Sequence, residues 1–246
     1  FEDSSVGRAD SLTVNTHFLQ SRYQSLGFPR EKIALVPNGV ERSRFAPIPP
    51  ADALYQKWKI DAAAPLIVYV GTLGLLSHPV DLLLQAFVTI QTAVPQARLL
   101  LVGGGEDYDK LQMMASQLGI AANTIFTGRV APEEIPAYLA MAAVSVDPVH
   151  DDLIARARSP LKVVESLAVG PPVVTGDVGD RAQTVQNGEF GLVVAPGSAA
   201  ALAEGILTLL KQPERRARMA HAAQSQREQW FWDRMVLAFE NIYEEK

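Results

Sequence analysis

Residues 66–87 read LIVYVGTLGLLSHPVDLLLQAF, and this stretch decides the fold. Leu66–Val70 is a continuous apolar run of β-branched, aromatic and aliphatic residues, the pattern of a strand buried on both faces. Gly71-Thr72-Leu73-Gly74 then supplies the backbone freedom for a turn. From Asp81 to Val94 the apolar residues Leu83, Ala86, Phe87, Ile90 and Val94 recur at the helical period, with Asp81 positioned to cap the helix. A buried strand, a glycine turn and an amphipathic helix make one βα unit.

Working outward, the unit repeats. Strands are expected at Leu12–Val14, Ile33–Val36, Arg98–Val102, Thr124–Phe126, Val144–Val146, Val173–Thr175 and Leu192–Val194, with helical patterns between them. This alternation predicts an α/β fold: a doubly wound, Rossmann-like parallel sheet with helices on both faces and right-handed crossovers. Phe45–Ala53 (FAPIPPADA) interrupts it with three prolines and no periodicity, which reads as a linker. Residues 1–45 are then the remnant of a preceding α/β lobe, 46–53 the linker and 54–228 the main domain. Leu202–Leu210, Glu214–Ala223 and Trp230–Tyr243 are three helical patterns without an intervening strand. The last of them, within residues 229–246, is expected to pack back toward the remnant, with Trp230 and Trp232 as packing anchors.

Composition narrows the function. With 246 residues, 48% of them hydrophobic and 20% charged, the chain has enough apolar surface for one large domain and part of another. The absence of cysteine excludes disulfide scaffolds and Cys-ligated zinc, and it fits a reducing compartment. A net charge of -5 without a long basic run argues against a nucleic-acid partner. Arg215, Arg216 and Arg218 read as a solvated helix face. No apolar run approaches the ~20 residues of a transmembrane segment, and residues 1–10 do not read as a signal peptide. The start at Phe1 leads to the expectation of a fragment. His17, His78, His150 and His221 have no metal-ligand spacing.

In an open α/β sheet, ligands sit beyond the C-terminal strand ends. Gly71–Gly74, Gly103-Gly104-Gly105, Gly128 and Ser159-Pro160 all fall there. Each alone is an ordinary turn; together on one sheet edge they point to a nucleotide or phosphate ligand. Ser159 reads as the N-cap of the next helix and Pro160 as a residue of its first turn, leaving free N–H groups for an anion.

These residues resemble the C-terminal lobe of family 4 retaining glycosyltransferases, which have the two-Rossmann B fold. The likeness runs through residues 31–47 (EKIALVPNGVERSRFAP), Val70–Leu73, Val80–Phe87, Leu101–Gly105, Phe126–Val130, Ser159–Ala168 and Gly191–Val194. The resemblance implies transfer of a hexosyl unit from a nucleotide-diphosphate sugar to an acceptor, with retention and without cofactor or metal. Residues 1–45 become a remnant of the acceptor-side lobe. The acceptor (a glycan, lipid or small molecule) would be held by the missing N-terminal lobe. The implied location is cytoplasmic or peripheral at the inner face of the membrane.

Carried over residue by residue, the family places Glu165 on the ribose. It brings Gly71, Thr72, Gly103, Gly104, Ser159, Pro160 and Leu161 to the donor nucleotide, and Arg129 and Val130 to the base. Three departures stand out: the first glutamate of the usual pair is Ala157, the usual arginine is Thr72, and the usual phosphate-binding lysine aligns near His78, which becomes a candidate for the donor phosphate. Arg156, Arg158 and Lys162 bracket the helix start and offer the lost charge, with Arg158 and Lys162 as the catalytic candidates; a solvated surface is the other reading. For Glu165 the competing reading is a surface pair with Lys162. Gly176–Arg181 resembles the loop near the donor sugar, although Asp180 and Arg181 also suit a helix cap. A binding-only nucleotide-sugar module and a sugar-nucleotide epimerase of the same fold are the alternatives.

Overall fold

Each apolar run becomes a strand in the computed structural model, which describes residues 9–46, 48–49 and 51–244. Parts of the expected remnant, linker and C-terminal segment, at residues 1–8, 47, 50 and 245–246, lie outside the described residues. The strands are β1 (Leu12–Val14), β2 (Ile33–Leu35), β3 (Leu66–Val70), β4 (Arg98–Val102), β5 (Thr124–Phe126), β6 (Val144–Asp147), β7 (Val173–Gly176) and β8 (Gly191–Val194). β1 and β2 pair in parallel as a small separate sheet. The other six form one parallel sheet in the order β5-β4-β3-β6-β7-β8.

The helices are α1 (His17–Ser25), α2 (Asp52–Trp58), α3 (Val80–Ala93), α4 (Tyr108–Gln117), α5 (Ile135–Ala140), α6 (Leu153–Ala157), α7 (Leu161–Val169), α8 (Arg181–Val185), α9 (Ala199–Lys211), α10 (Pro213–Ser225) and α11 (Trp232–Glu244). Alternate residues of each strand face opposite layers. Leu66, Val68, Val70, Leu100 and Val102 pack with Tyr138, Val163 and Leu167 on one face. Ile67, Tyr69, Leu99 and Leu101 pack with Leu83, Phe87, Ile90 and Ile206 on the other. Both faces are therefore covered, which is why β3 reads as an unbroken apolar run. Burying a Leu or Phe as fully as Leu83 and Phe87 are buried contributes about 1.5–3 kcal/mol relative to exposure.

The strand order creates the crevice. From β3 the chain steps outward to β4 and β5, then returns to β6 on the other side of β3. The loops after β3 and β6 therefore leave in opposite directions, the point where such sheets open a ligand crevice.

Several local expectations need correction. Helix α3 starts at Val80 with Pro79 at the N-cap and no side-chain cap, so Asp81 lies in its first turn. Pro79 cannot donate a backbone hydrogen bond and fixes its own φ, which places the N-cap two residues before Asp81. Phe45, the first residue of the proline-rich stretch, is 1% exposed and belongs to the core, and Asp52 already begins α2. The terminal helical pattern divides into a 3-10 turn (Arg227–Trp230) followed by α11. Trp230 is buried edge-on against Phe190, with ring centroids 5.2 Å apart, whereas Trp232 is exposed.

A strap joins the early and late parts of the chain. Val40 bridges Phe231 in parallel, with Val40 N donating to the Trp230 carbonyl at 2.8 Å and Trp232 N to the Val40 carbonyl at 3.1 Å. Arg42 donates to Glu228 and Asp233, both at 2.7 Å, and lies 4.4 Å over the Phe231 ring. Helix α11 packs on β2. Among the described residues no helix is long and apolar enough to cross a membrane.

Candidate functional site at the switch point

The glycine loops on the β3–β4 side are fitted to each other. Gly71 (φ 152°) and Gly103 (φ 140°) sit where L side chains are rare. A Cβ on Gly103 would meet the Gly71 carbonyl at 2.0 Å, and one on Gly105 would meet the Leu73 carbonyl at 2.3 Å. Gly71 N donates to the Val102 carbonyl at 3.0 Å and Gly103 N to the Gly128 carbonyl at 3.2 Å. Loop-to-loop packing by itself therefore accounts for Gly103 and Gly105, whereas a Cβ on Gly71 would meet the Tyr69 hydroxyl at 2.9 Å and the Lys162 side chain at 3.3 Å. At Gly104 the stem of exposed Arg129 lies across the position a Cβ would take, 2.9 Å away. Val130 is partly buried against the core. The Thr72 carbonyl accepts from the Tyr69 hydroxyl at 2.9 Å.

Across the crevice, α7 begins one residue later than its sequence suggests. Pro160 (ψ 99°) is extended and is itself the N-cap, so Ser159 makes no cap, and no side chain caps the helix. Ser159 is held by its carbonyl instead, which accepts from Asn38 Nδ2 at 3.1 Å. The buried Thr16 hydroxyl donates to the Ala157 carbonyl at 3.3 Å. Leu161 opens the helix and is exposed. A cleft of about 180 Å³ lined by His17, Asn38, Ser159, Asp180 and Gln183 runs beside it.

The side chain of Lys162 reaches over β3 into the crevice. Its Nζ lies 3.5 Å from Asp147 Oδ1, 3.2 Å from His78 Nδ1 and 3.4 Å from the Tyr69 hydroxyl, 4.7 Å above that ring. Arg158 Nη1 approaches the same His78 Nδ1 at 3.3 Å and donates to the Ser77 carbonyl at 3.1 Å. Three residues singled out from the sequence thus meet in one cluster. Arg156 does not join them: it forms a two-pronged pair with Asp151 at 2.7 and 2.8 Å.

Beneath the cluster lies a buried ion pair absent from the sequence reading. Arg181 (2% exposed) donates to Asp147 Oδ2 at 2.8 Å and to the Ala155 and Val178 carbonyls, while Thr175 also donates to Asp147. Arg181 is therefore an inward strut and not a helix cap, and the Asp180 carboxylate turns to His17 at 2.9 Å from its backbone N. Burial alone would raise the Asp147 pKa; Lys162 and Arg181 outweigh it and hold the carboxyl below its ordinary value. Burial pulls the Lys162 ammonium down, with Asp147 opposing. Burial, then Lys162 and Arg158, push the His78 imidazole down to about 4. Lys162 and Arg181 share Asp147, and Arg158 touches uncharged groups. The cluster carries surplus positive charge, suited to an anion. The signal for Asp147 was the carboxylate ending the buried run VSVD at a strand's C-terminal end.

Glu165 lies a turn further along α7, largely buried, and forms no pair with Lys162. Its Oε1 is 4.0 Å from Arg44 Nη2. Burial raises its pKa, with Arg44 and Lys162 pulling the other way.

Fold and site together define a Rossmann-like domain with a cationic crevice at its switch point. The model of the glycosyl transferases group 1 family matches residues 51–226, and the chain belongs to that family. It is 33% identical over 227 residues to a GDP-mannose-dependent alpha-(1-6)-phosphatidylinositol monomannoside mannosyltransferase of Mycolicibacterium smegmatis, covering 91% of this chain and 59% of the relative. It is 29% identical to the D-inositol 3-phosphate glycosyltransferase of Acidothermus cellulolyticus, covering 97% of this chain and 54% of that one. The chain thus spans less than two thirds of the length of these relatives. Sucrose-phosphate synthase from Thermosynechococcus elongatus superposes with a TM-score of 0.82 at 23% identity, over 99% of this chain and 60% of that one. Anabaena HepE in complex with UDP gives 0.80 at 22% identity, over 100% of this chain and 68% of that one. These two likenesses establish the fold.

Proposed function

We propose that the chain is the donor-binding half of a retaining glycosyltransferase, taking a hexosyl unit from a nucleotide-diphosphate sugar. The mycobacterial relatives described as GDP-mannose-dependent nominate GDP-mannose as the first donor to test. The observation that carries the reading is the convergence of Lys162, Arg158 and His78 at the switch point, beside the uncapped N-terminus of α7. Transfer breaks the bond between the anomeric carbon and a diphosphate oxygen, and negative charge grows on the departing diphosphate. Preorganised cations and N–H groups stabilise that charge. A helix N-terminus contributes only about 0.3–1 kcal/mol toward an exposed anion, so the two side-chain cations carry most of the task. Arg158 can grip two phosphate oxygens at once. Glu165 accepts the ribose hydroxyls, with Arg44 fixing its carboxylate. On this reading the transfer runs without cofactor or metal. The acceptor, a glycan, lipid or small molecule, falls to the part of the protein that the relatives have beyond this match, with a cytoplasmic or membrane-peripheral location. A binding module without turnover is the second reading, favoured by Ala157, where the family's first glutamate is replaced and the backbone carbonyl is engaged by Thr16.

Calorimetry with guanosine and GDP tests the site. Arg158→Ala and Lys162→Ala are expected to weaken GDP about tenfold or more while sparing guanosine, and Glu165→Ala to weaken both, since a hydrogen bond to a charged group is worth about 1.5–3 kcal/mol. Wild-type affinity for GDP in all three variants would return these residues to a structural role.

A further inference from the structure

His78 is placed unusually for an imidazole. Its Nδ1 faces two cations, Lys162 Nζ at 3.2 Å and Arg158 Nη1 at 3.3 Å. Both are donors, so in the free protein Nδ1 offers a lone pair and the ring proton sits on Nε2. Charged neighbours reach it from every packed element: Lys162 from α7, Arg158 from the segment before it, Asp147 from β6 and Arg181 from α8. Asp147 alone favours a charged ring, and it is already shared by Lys162 and Arg181. A neutral imidazole thus occupies the acceptor position between two cations, the position that suits an anionic oxygen.

A diphosphate entering the crevice inverts this arrangement. Its oxygens take over as acceptors for Lys162 and Arg158, and two negative charges replace the two positive ones as the dominant neighbours of His78. The Nδ1 lone pair would then confront phosphate oxygen lone pairs. Protonation converts that repulsion into a charge-assisted N–H to oxygen hydrogen bond.

We propose that His78 takes up a proton from solvent as the diphosphate of the nucleotide sugar binds, becoming a third cation of the site. This rests on reading the crevice as a diphosphate site. The free ring, held at about 4, is neutral across the physiological range; in the complex the charged form is favoured. Binding that captures a proton strengthens as the pH falls. The sugar-linked diphosphate is the appropriate probe. Each of its phosphates has one ester and one anhydride linkage and a single strongly acidic group, fully ionised in this range, so the ligand takes up and releases no proton itself.

The experiment is calorimetry of the protein with GDP-mannose, and in parallel UDP-glucose, at pH 6.5 in buffers of different ionisation enthalpy. Whichever ligand binds is expected to show a buffer-dependent enthalpy equivalent to uptake of about half a proton or more. Its affinity should rise about threefold or more between pH 8 and pH 6. In His78→Gln the uptake and the pH slope should vanish while binding persists at reduced affinity. Independently, carbon-13 histidine NMR should show the His78 ring, identified by its loss in that variant, turning cationic on ligand addition at pH 6.5. Binding with no proton uptake in the wild type, or uptake that survives in His78→Gln, overturns the proposal and leaves the donor site intact. Failure of both nucleotide sugars to bind overturns the site reading itself, and the proposal with it.

Discussion

On the β3–β4 side of the crevice the loops are held by backbone fit: Gly71 and Gly103 interlock so closely that a single methyl group has no room. On the β6–β7 side the rim is held by buried charge, with Asp147 bridging Arg181 and Lys162. The first side is fixed by shape, the Gly103 and Gly105 backbones lying against the loop after β3. The second stores charge under the floor of the site, and its upper layer (Lys162 and Arg158) reaches across to His78 in the loop after β3. On the proposed reading, shape confines the diphosphate while charge selects it. Lys162 shares its single carboxylate partner, Asp147, with Arg181, so the burial of its ammonium is only partly offset.

Breaking each side separately sharpens the contrast. The largest effect is expected from Asp147→Ala, which strands two buried cations and should cost about 3–5 kcal/mol in chemical denaturation. The same pair sets an acid limit. Because the folded pKa of Asp147 is depressed, its contribution is fully present above the ordinary carboxylate value near 4 and lost as pH falls through the lower folded value. Acid unfolding below about pH 4 should therefore be less steep in Asp147→Asn than in the wild type. An acid limb identical in the two would show that the pair does not govern it.

Gly103→Ala tests the other side. Overpacking against the Gly71 carbonyl, together with a φ of 140°, should destabilise by about 2–3 kcal/mol. A melting temperature equal to that of the wild type would mean the loops have slack that the close approach denies. The smallest effect belongs to Arg156, whose pairing with Asp151 is on the surface. Arg156→Ala should leave both melting temperature and GDP affinity unchanged; a loss of affinity would move Arg156 into the site beside Arg158.

The sheet was legible because a strand covered on both faces writes its burial into consecutive residues. LIVYV and RLLLV need no distant information to be read. The cluster was legible in part: Arg158, Lys162 and His78 were singled out, but not where their charges lead. Asp147 and Arg181 stand 34 residues apart, and only the parallel pairing of β6 with β7 brings their segments together. Arg44 and Glu165 likewise meet only in three dimensions. The misplaced start of α7 has a local cause. Ser-Pro reads as a cap followed by a first turn, yet here the extended ψ of Pro160 shifts the boundary by one residue.

The strap through Val40 and Arg42 also bears on the order in which the molecule assembles. The ties from the first part of the chain span 141 residues from Thr16 to Ala157, 163 from His17 to Asp180 and 191 from Arg42 to Asp233. Within the six-stranded sheet, in contrast, every pairing but that of β3 with β6 joins consecutive strands. Long loops cost entropy to close and are rewarded late. The sheet is therefore expected to form first and the β1–β2 segment to be laced on afterward. Native-state hydrogen exchange would then show the β1–β2 amides opening before those of β3 and β4, with loss of the Asn38 and Thr16 bonds that steady the start of α7.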